Sequence, residues 1–178
     1  VDYYVEKEYE AYAKQTCGNT PEMLEFFSKK LNYDYPWSKY AQITARDYVS
    51  GAMENTTAVL HQESAQQKPG DLIDENRWED VISHELFHHW FGDLVTTESW
   101  SNLTVNESFA NYSEYLWNEY KYGKDFADYT LMKAAEGYFR DPSNVTKDLV
   151  RFNYHHKEDM FDAVSYNKGG SILHMLRN

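Results

Sequence analysis

Residues 84–93 of the chain read HELFHHWFGD, and their first five positions, His84 to His88, form the pattern H-E-x-x-H. Four residues of an α-helix advance by about 400°, so the imidazoles of His84 and His88 project from the same face. Two imidazoles on one helical face can bind a single metal ion. Glu85 lies about 100° further round the axis than His84, where it can flank the ion and act as a base on a water molecule.

The surrounding residues predict the helix that this geometry requires. Apolar side chains recur every four residues, as expected for a buried helical face. They are Trp78, Ile82, Leu86 and Trp90. We predict a helix over 76–91, with Asp74 as its N-terminal cap and Gly92 as its end.

A catalytic zinc site usually has three protein ligands and one open position. Cys17 is the only cysteine, so the third ligand must be a histidine or a carboxylate. Glu107 follows His88 by 19 positions, near the start of a second predicted helix over 104–120. A turn between two antiparallel helices would bring Glu107 back beside the histidines, which completes a His₂Glu ligand set.

Glu107 also has a competing structural interpretation. Thr104 and Glu107 fit the S/T-x-x-E pattern of a capping box, in which the glutamate binds the backbone at the helix start. We favour the metal-ligand interpretation and expect Ser101 or Asn102 to help cap the helix instead.

The composition favours a globular domain that does not bind nucleic acid. Of the 178 residues, 42% are hydrophobic and 26% are charged, and the formal net charge is −12. An acidic surface is unsuited to a phosphate backbone, and no apolar run reaches the roughly 20 residues of a membrane span. Strands predicted over 40–49 and 57–60 precede helices predicted over 125–140 and from about 159 onward, which indicates an α+β fold.

Three further segments belong with residues 84–93: they read NESFA at 106–110, GAMEN at 51–55 and YNKG at 166–169. Together the four segments resemble the M1 family of zinc aminopeptidases. The motifs occur in the order of that family, and the similarity runs over nearly the whole chain. The resemblance implies a thermolysin-like zincin (gluzincin) domain over 1–178, with a small mixed sheet followed by a mainly helical part.

The resemblance also implies roles for individual residues. His84, His88 and Glu107 would bind one Zn²⁺ ion, and Glu85 would act as general base and then as general acid. Tyr166 would donate a hydrogen bond to the oxyanion of the reaction.

The substrate-binding residues of the resemblance lie in the segment 51–55. Glu54 would bind the free α-amino group of a peptide substrate. Gly51, Ala52 and Met53 would line an edge strand along which the peptide lies, and Asn55 belongs to the same motif.

Relatives carry a β-rich domain before this region and a helical domain after it, and we expect both to be absent from this chain. The thermolysin-like domain is also expected to be truncated at its C-terminal end. We therefore expect the isolated chain to bind zinc but to cleave peptides weakly or not at all.

Three other functions are open to a chain with these motifs. The first is a hydrolase with a further activity, since one branch of the family also opens an epoxide, and no residue of the sequence discriminates it. The second is a non-catalytic M1-like scaffold or interaction domain, against which the retained Glu85, Tyr166 and ligand set argue. The third is a thermolysin-like endopeptidase, against which Glu54 in its motif argues.

Other polar residues near the motifs receive structural predictions. His89 faces away from His88 and is expected to be structural, whereas the pair His155 and His156 is expected at the surface. Asp93 and Asn111 are predicted to orient the metal ligands.

Overall fold

The computed structural model describes residues 1–76 and 78–177, which form two compact units, Val1–Asp93 and Leu94–Asn178. Arg77, within the predicted helix 76–91, and Asn178, within the predicted domain, lie outside the described residues. Each unit is organised around its own buried apolar side chains.

The first unit contains a four-stranded mixed sheet. Its strands are β1 (Asp2–Tyr4), β2 (Ala41–Ala45), β3 (Ala52–Met53) and β4 (Ala58–Gln62), arranged in the order β1-β2-β4-β3. β1 and β4 each pair with β2 in parallel, and β3 pairs with β4 antiparallel. β3 is therefore an edge strand, as the resemblance implied for Ala52 and Met53.

Three α-helices accompany this sheet, α1 (Ala13–Cys17), α2 (Thr20–Leu31) and α3 (Glu79–Phe87). α2 and α3 pack through aromatic side chains: the ring of Phe27 lies 5.0 Å from that of Phe87 at the end of α3, and 6.4 Å from that of Trp90 just after it. Val59 of β4 is fully buried, as are Phe27 of α2 and Leu86 of α3. This apolar contact sets the position of the helix that carries the H-E-x-x-H motif.

The second unit is helical. Its α-helices are α4 (Thr104–Tyr122), α5 (Lys124–Phe139) and α6 (Gly169–Arg177), and a π-helical turn (Val164–Lys168) leads into α6. Trp117 of α4, Ala127 of α5 and Val164 of the π-helical turn are fully buried. α4 contacts α5, α6 and the π-helical turn, and is the central helix of this unit.

This architecture confirms the predicted α+β class, with a small mixed sheet followed by a mainly helical part. The helices predicted over 104–120 and 125–140 are also confirmed within one or two residues at their ends. No helix among residues 1–76 and 78–177 combines the length and the apolar character needed to cross a membrane.

Two helix starts differ from the prediction. α3 begins at Glu79 with Trp78 as its N-cap, so Asp74 is not the cap. Asn76 forms a turn instead, because its side chain accepts from the backbone N–H of Trp78 and donates to the carbonyl of Thr16. The helix predicted from about 159 is replaced by a 3-10 turn (Lys157–Met160) and the π-helical turn, and α6 begins only at Gly169.

Candidate metal and peptide site

The two histidines of the motif lie on α3 and at its C-cap. His84 and His88 are both buried, and their ring centroids are 4.8 Å apart. The helix holds this arrangement because Ile82 and Leu86 bury its opposite side in the core. The spacing of one helical turn therefore places two imidazoles together, as the sequence predicted.

A backbone carbonyl fixes the tautomer of His88. Its Nδ1 lies 3.0 Å from the carbonyl oxygen of Phe91, which can only accept, so Nδ1 carries the proton. The Nε2 atom of the neutral ring then holds the lone pair that a metal ion needs. Histidine ligands in metal sites are commonly oriented by a carbonyl or carboxylate in this way.

Gly92 allows the chain to turn directly against His88. Its φ is +143°, and a Cβ atom there would lie 3.0 Å from Nδ1 and 3.1 Å from the carbonyl oxygen of His88. The backbone N–H of Asp93 donates to that same carbonyl oxygen at 2.9 Å. Glycine is therefore strongly favoured at this position.

α3 itself ends before Gly92, at Phe87 with His88 as its C-cap, so the prediction that the helix runs to residue 91 and ends at Gly92 is wrong. The N–H groups of His89 and Trp90 bond only three residues back, to Leu86 and Phe87, which tightens the chain into turns before Gly92.

Two carboxylates meet His88 in the first unit. One ligand atom from each of Glu54, Glu85 and His88 lies within 4.8 Å of the others. Glu85 is buried on α3, whereas Glu54 is half-buried and directly follows β3. The structure thus brings the carboxylate of the GAMEN segment beside the H-E-x-x-H motif.

The other residues of the GAMEN segment lie along or beside the edge strand. Ala52 pairs with His61 and Met53 pairs with Leu60, while the carbonyl of Gly51 accepts from the N–H of Gln62. Asn55 is exposed and its carbonyl accepts from Ala58. Because β3 pairs only with β4 in the described sheet, its outer edge can accept an extended peptide.

His89 connects α3 to the turn that follows the GAMEN segment. It is fully buried, its Nδ1 lies 3.3 Å from the carbonyl of Glu85, and its Nε2 accepts from the backbone N–H of Thr57 at 3.0 Å. Thr57 has a φ of +67°, which is rare for a β-branched residue. The prediction that His89 is structural is confirmed, and the pair His155 and His156 is exposed as predicted.

The first unit concentrates negative charge near the motif. Burial, supported by the nearby charge of Glu54 and opposed by a hydrogen bond from Thr56, raises the pKa of Asp93 to about 6. Burial, followed by the charges of Glu85 and Glu54, also raises the pKa of Tyr48. These carboxylates together favour a cation at this place.

Asp93 was predicted to orient a metal ligand. Its Oδ2 lies 3.9 Å from Nδ1 of His89, and its predicted role beside a metal ligand stays a prediction. Tyr48 was missed by the sequence analysis, although it lies three residues before Gly51 and is near both Glu54 and Glu85. In the sequence, Tyr48 could have been noticed only as an aromatic residue shortly before the GAMEN segment.

Glu107 lies in the first turns of α4 in the second unit and is buried. The capping-box alternative is wrong, because Leu103 is the N-cap and has no side-chain capping bond. The Thr104 hydroxyl lies 2.5 Å from that of Ser108 instead. Neither Ser101 nor Asn102 caps α4, and the role of Glu107 as a metal ligand stays a prediction.

Tyr166 lies in the π-helical turn of the second unit and is half-buried. The turn packs tightly on α4, since a Cβ on Gly169 would lie 1.7 Å from Oγ of Ser108, and one on Gly170 would lie 2.5 Å from Oδ1 of Asn111. Asn111 thus contacts the start of α6, and its amide also donates to Glu114. The predicted roles of Tyr166 and Asn111 at the active site stay predictions.

The donor set in the first unit fits zinc. Neutral imidazoles and carboxylates are its usual nitrogen and oxygen ligands, and the orientation of His88 by a carbonyl is typical of such sites.

The second unit contains an ion pair near Tyr166, formed by Asp162 and Arg151, that the sequence analysis did not identify. Asp162 could have been identified from the sequence because aspartate is a common helix-capping residue and this one lies four positions before Tyr166.

The sequence was also compared with known proteins. The family model described as Peptidase family M1 domain matches residues 15–178. Aminopeptidase N of Rattus norvegicus is 33% identical over 186 residues, and this alignment covers 93% of the chain and 18% of the relative. Endoplasmic reticulum aminopeptidase 2 of Homo sapiens is 35% identical over 162 residues, with 88% of the chain and 17% of the relative covered.

A plant relative has a similar degree of identity. Aminopeptidase M1 of Arabidopsis thaliana is 33% identical over 165 residues, covering 87% of the chain and 18% of the relative. The chain thus spans less than a fifth of the length of these curated relatives. Because the family model matches nearly all of its residues, the chain belongs to peptidase family M1.

Proposed function

We propose that the intact protein is a zinc aminopeptidase that hydrolyses the N-terminal peptide bond of peptides with a free amino group. The observation that carries this proposal is the approach of Glu54, from the GAMEN segment, to Glu85 and His88. A carboxylate beside the base and a metal ligand can bind the ammonium group of a substrate whose first peptide bond is at the metal.

His84, His88 and Glu107 would hold one Zn²⁺ ion. Support comes from the two adjacent imidazoles, the carbonyl that orients His88, and the burial of Glu107. When bound, zinc supplies the Lewis acidity that activates a water molecule and polarises the scissile carbonyl.

Glu85 would take a proton from the attacking water and deliver it to the leaving amine. It lies next to His84 on α3, and its carboxylate is buried within 4.8 Å of a ligand atom of His88. This distance is compatible with proton transfer through a water molecule held between the two side chains. Proton transfer by a positioned side chain typically contributes about 100- to 10,000-fold to a rate.

Glu54 would select the free amino end of the peptide. Its carboxylate shares a strongly acidic neighbourhood with Glu85 and Asp93, so an incoming ammonium group relieves repulsion between like charges. A substrate without that ammonium leaves the repulsion in place, which disfavours internal peptide bonds. The edge strand β3 would hold the substrate backbone beside Gly51, Ala52, Met53 and Asn55.

Tyr166 would donate a hydrogen bond to the oxyanion of the tetrahedral intermediate. The π-helical turn that carries it is a feature often found at functional sites. One donor to an oxyanion contributes about 3 kcal/mol to the transition state in comparable enzymes.

The experiment that tests the mechanism combines activity with metal analysis. We expect Glu85→Gln in the intact protein to lose activity on the order of 10,000-fold while it retains one zinc ion per chain. Loss of zinc in this variant would show that Glu85 is a ligand and not the base. Wild-type protein that binds zinc but cleaves no peptide would support the scaffold alternative.

A second experiment tests the role of Glu54. The intact protein should cleave a peptide with a free amino end and should not cleave the same peptide when it is acetylated. Equal rates on both peptides would identify an endopeptidase. Glu54→Gln should raise KM for the free peptide and keep its zinc, whereas loss of zinc would place Glu54 among the ligands.

A further inference from the structure

Asp162 is the residue on which the polar contacts around the π-helical turn converge. Its Oδ1 accepts from Nη2 of Arg151 at 3.0 Å and from the backbone N–H groups of Val164 at 3.1 Å and Ser165 at 3.2 Å. Its Oδ2 accepts from Nη1 of Arg151 at 2.8 Å and from Nζ of Lys147 at 3.1 Å. One carboxylate thus caps the start of the turn and binds two cations.

The backbone of the turn is fixed at both ends. The N–H of Tyr166 donates to the carbonyl of Asp162 at 3.1 Å, and the N–H of Lys168 donates to that of Ala163 at 2.9 Å. The hydroxyl of Ser108 on α4 donates to the carbonyl of Ser165 at 2.6 Å. Tyr166 is therefore held between a cap and a bond to the central helix.

The ion pair beneath the turn is shielded from solvent. The side chains of Arg151 and Asp162 are 12% and 17% exposed, so the bidentate contact is screened far less than a surface pair. Burial raises the pKa of Asp162, but the bonds from Arg151 and Lys147 outweigh it and leave the pKa below its usual value. Asp162 is accordingly ionised at neutral pH.

The cations are themselves tied to other parts of the unit. The backbone N–H of Arg151 donates to the carbonyl of Ser101 just before α4, and Nζ of Lys168 donates to the carbonyl of Lys147. The group of Asp162, Arg151 and Lys147 therefore links the turn to the segment before it and to the approach to α4.

We propose that Asp162, held by Arg151 and Lys147, is a positioning residue that sets the direction of the Tyr166 phenol for its hydrogen bond to the oxyanion. This inference rests on the proposed function of the chain. A carboxylate that only stabilised the second unit would affect folding, whereas a positioning residue acts on catalysis through Tyr166.

A double-mutant cycle in the intact protein separates these two roles. Asp162→Asn should lower kcat for an alanyl anilide by about 10- to 100-fold, since a displacement of about 1 Å is that costly. KM should change little, because the bond to the oxyanion forms only in the transition state. In a Tyr166→Phe background, the same substitution should lower kcat by less than about threefold.

Asp159→Asn is the matched control. Asp159 also caps a turn, accepting at 3.1 Å from the N–H groups of His155 and His156, but it lies outside the π-helical turn and is exposed. We expect its kcat to stay within about twofold of wild type. Arg151→Lys keeps the positive charge without the bidentate geometry, and should give an intermediate loss of kcat that also vanishes in the Tyr166→Phe background.

The outcomes distinguish this inference from the proposed function. An equal loss of kcat from Asp162→Asn in both backgrounds would overturn the positioning role while Tyr166 keeps its own. If Tyr166→Phe alone leaves kcat unchanged in an active enzyme, then the role of Tyr166 itself is wrong. Should Asp162→Asn fail to fold, the cycle with Arg151→Lys decides the question by the same criterion.

Discussion

In the first unit the proposed catalytic side chains stand on a regular α-helix, whereas in the second unit Tyr166 stands on a π-helical turn. α3 places His84, Glu85 and His88 by its periodicity and fixes His88 through a backbone carbonyl. The π-helical turn instead depends on the carboxylate of Asp162 and its ion pair with Arg151. Periodicity thus positions one group of residues, and charge positions the other.

This difference explains why the two groups have different requirements. A helix supplies its own hydrogen bonds and needs mainly a buried apolar face, which Ile82 and Leu86 provide. A π-helical turn is intrinsically unfavourable and persists only where its surroundings hold it. Substitutions should therefore affect α3 through packing and the π-helical turn through ionic contacts.

The largest expected difference between the two groups concerns activity. Glu85→Gln should lower kcat on the order of 10,000-fold, because no proton acceptor remains. Tyr166→Phe should lower it on the order of 100-fold, because it removes one of the groups that stabilise the oxyanion. Steady-state kinetics of both variants with an alanyl anilide measure this ratio. A greater loss from Tyr166→Phe would reverse the assigned roles.

The two units should also respond to acid at different pH values. His61 is buried in the first unit, burial lowers its pKa to about 4, and its Nδ1 has no hydrogen-bond partner among the described residues. Because the unfolded chain takes up this proton near pH 6.5, stability is present above that pH and is lost as pH falls toward 4. The full effect is about 3 kcal/mol.

Hydrogen exchange of the β4 and α4 amides between pH 7 and 4.5 can measure this contrast. Asp162 has a lowered pKa, so its contribution to the second unit is lost only as pH falls below the usual aspartate value of 3.8. Protection of β4 should fall first, and His61→Leu should reduce its pH dependence. The remaining dependence should combine two opposed contributions: His89, whose pKa burial also lowers to about 4, favours unfolding as pH falls, whereas Asp93, whose raised pKa is about 6, favours the folded state as pH falls. Equal acid sensitivity of both units would contradict this account.

A substitution at Gly169, the first residue of α6, tests how closely the π-helical turn and α6 pack on α4. Gly169→Ala would place Cβ within 2.5 Å of the Cβ of Ser108, so we expect a loss of about 3 kcal/mol in the free energy of unfolding. Gly137→Ala on α5 is the control, because its Cβ would meet only Nδ2 of Asn167 at 3.8 Å. It should raise stability by about 0.5–1 kcal/mol. Denaturant unfolding measures both values.

A substitution at Gly92 of the first unit should lower stability less than one at Gly169, and should also weaken metal binding. Gly92→Ala is strained at a φ of +143° and presses on His88, so we expect a loss of about 1–2 kcal/mol and about tenfold weaker zinc binding. Gly123→Ala has a φ of +94° with open space around it. It should show similar strain in unfolding and unchanged zinc affinity in calorimetry.

Features set by local spacing were predictable from the sequence. The adjacent imidazoles follow from the four-residue spacing of His84 on α3 and His88 at its C-cap, and α4 and α5 follow from their apolar positions and from Gly123. The edge position of Ala52 and Met53 followed from family resemblance and not from periodicity, because β3 has only two residues. β1 was missed because its three residues are strand-like only through their pairing with β2.

Features set by side-chain competition for the backbone were not predictable. The side chain of Asn76 accepts from the N–H of Trp78, and α3 begins only after this bond. The side chain of Asp162 accepts from the N–H groups of Val164 and Ser165 in the π-helical turn, and α6 begins only after that turn. The strand predicted over 40–49 ends at Ala45, shortly before Asp47 adopts a φ of +52°. Tyr48 likewise could not be assigned, because its approach to Glu54 and Glu85 depends on that turn.

Anomalous diffraction at the zinc edge, from crystals of the intact protein grown with zinc, tests the central claim most directly. The account predicts one zinc ion, bound by His84 and His88 at about 2.0–2.1 Å and by a carboxylate oxygen of Glu107 at about 2.0–2.2 Å. Zinc bound by Glu54 or Glu85 in place of Glu107, or no anomalous peak beside His84 and His88, would contradict it.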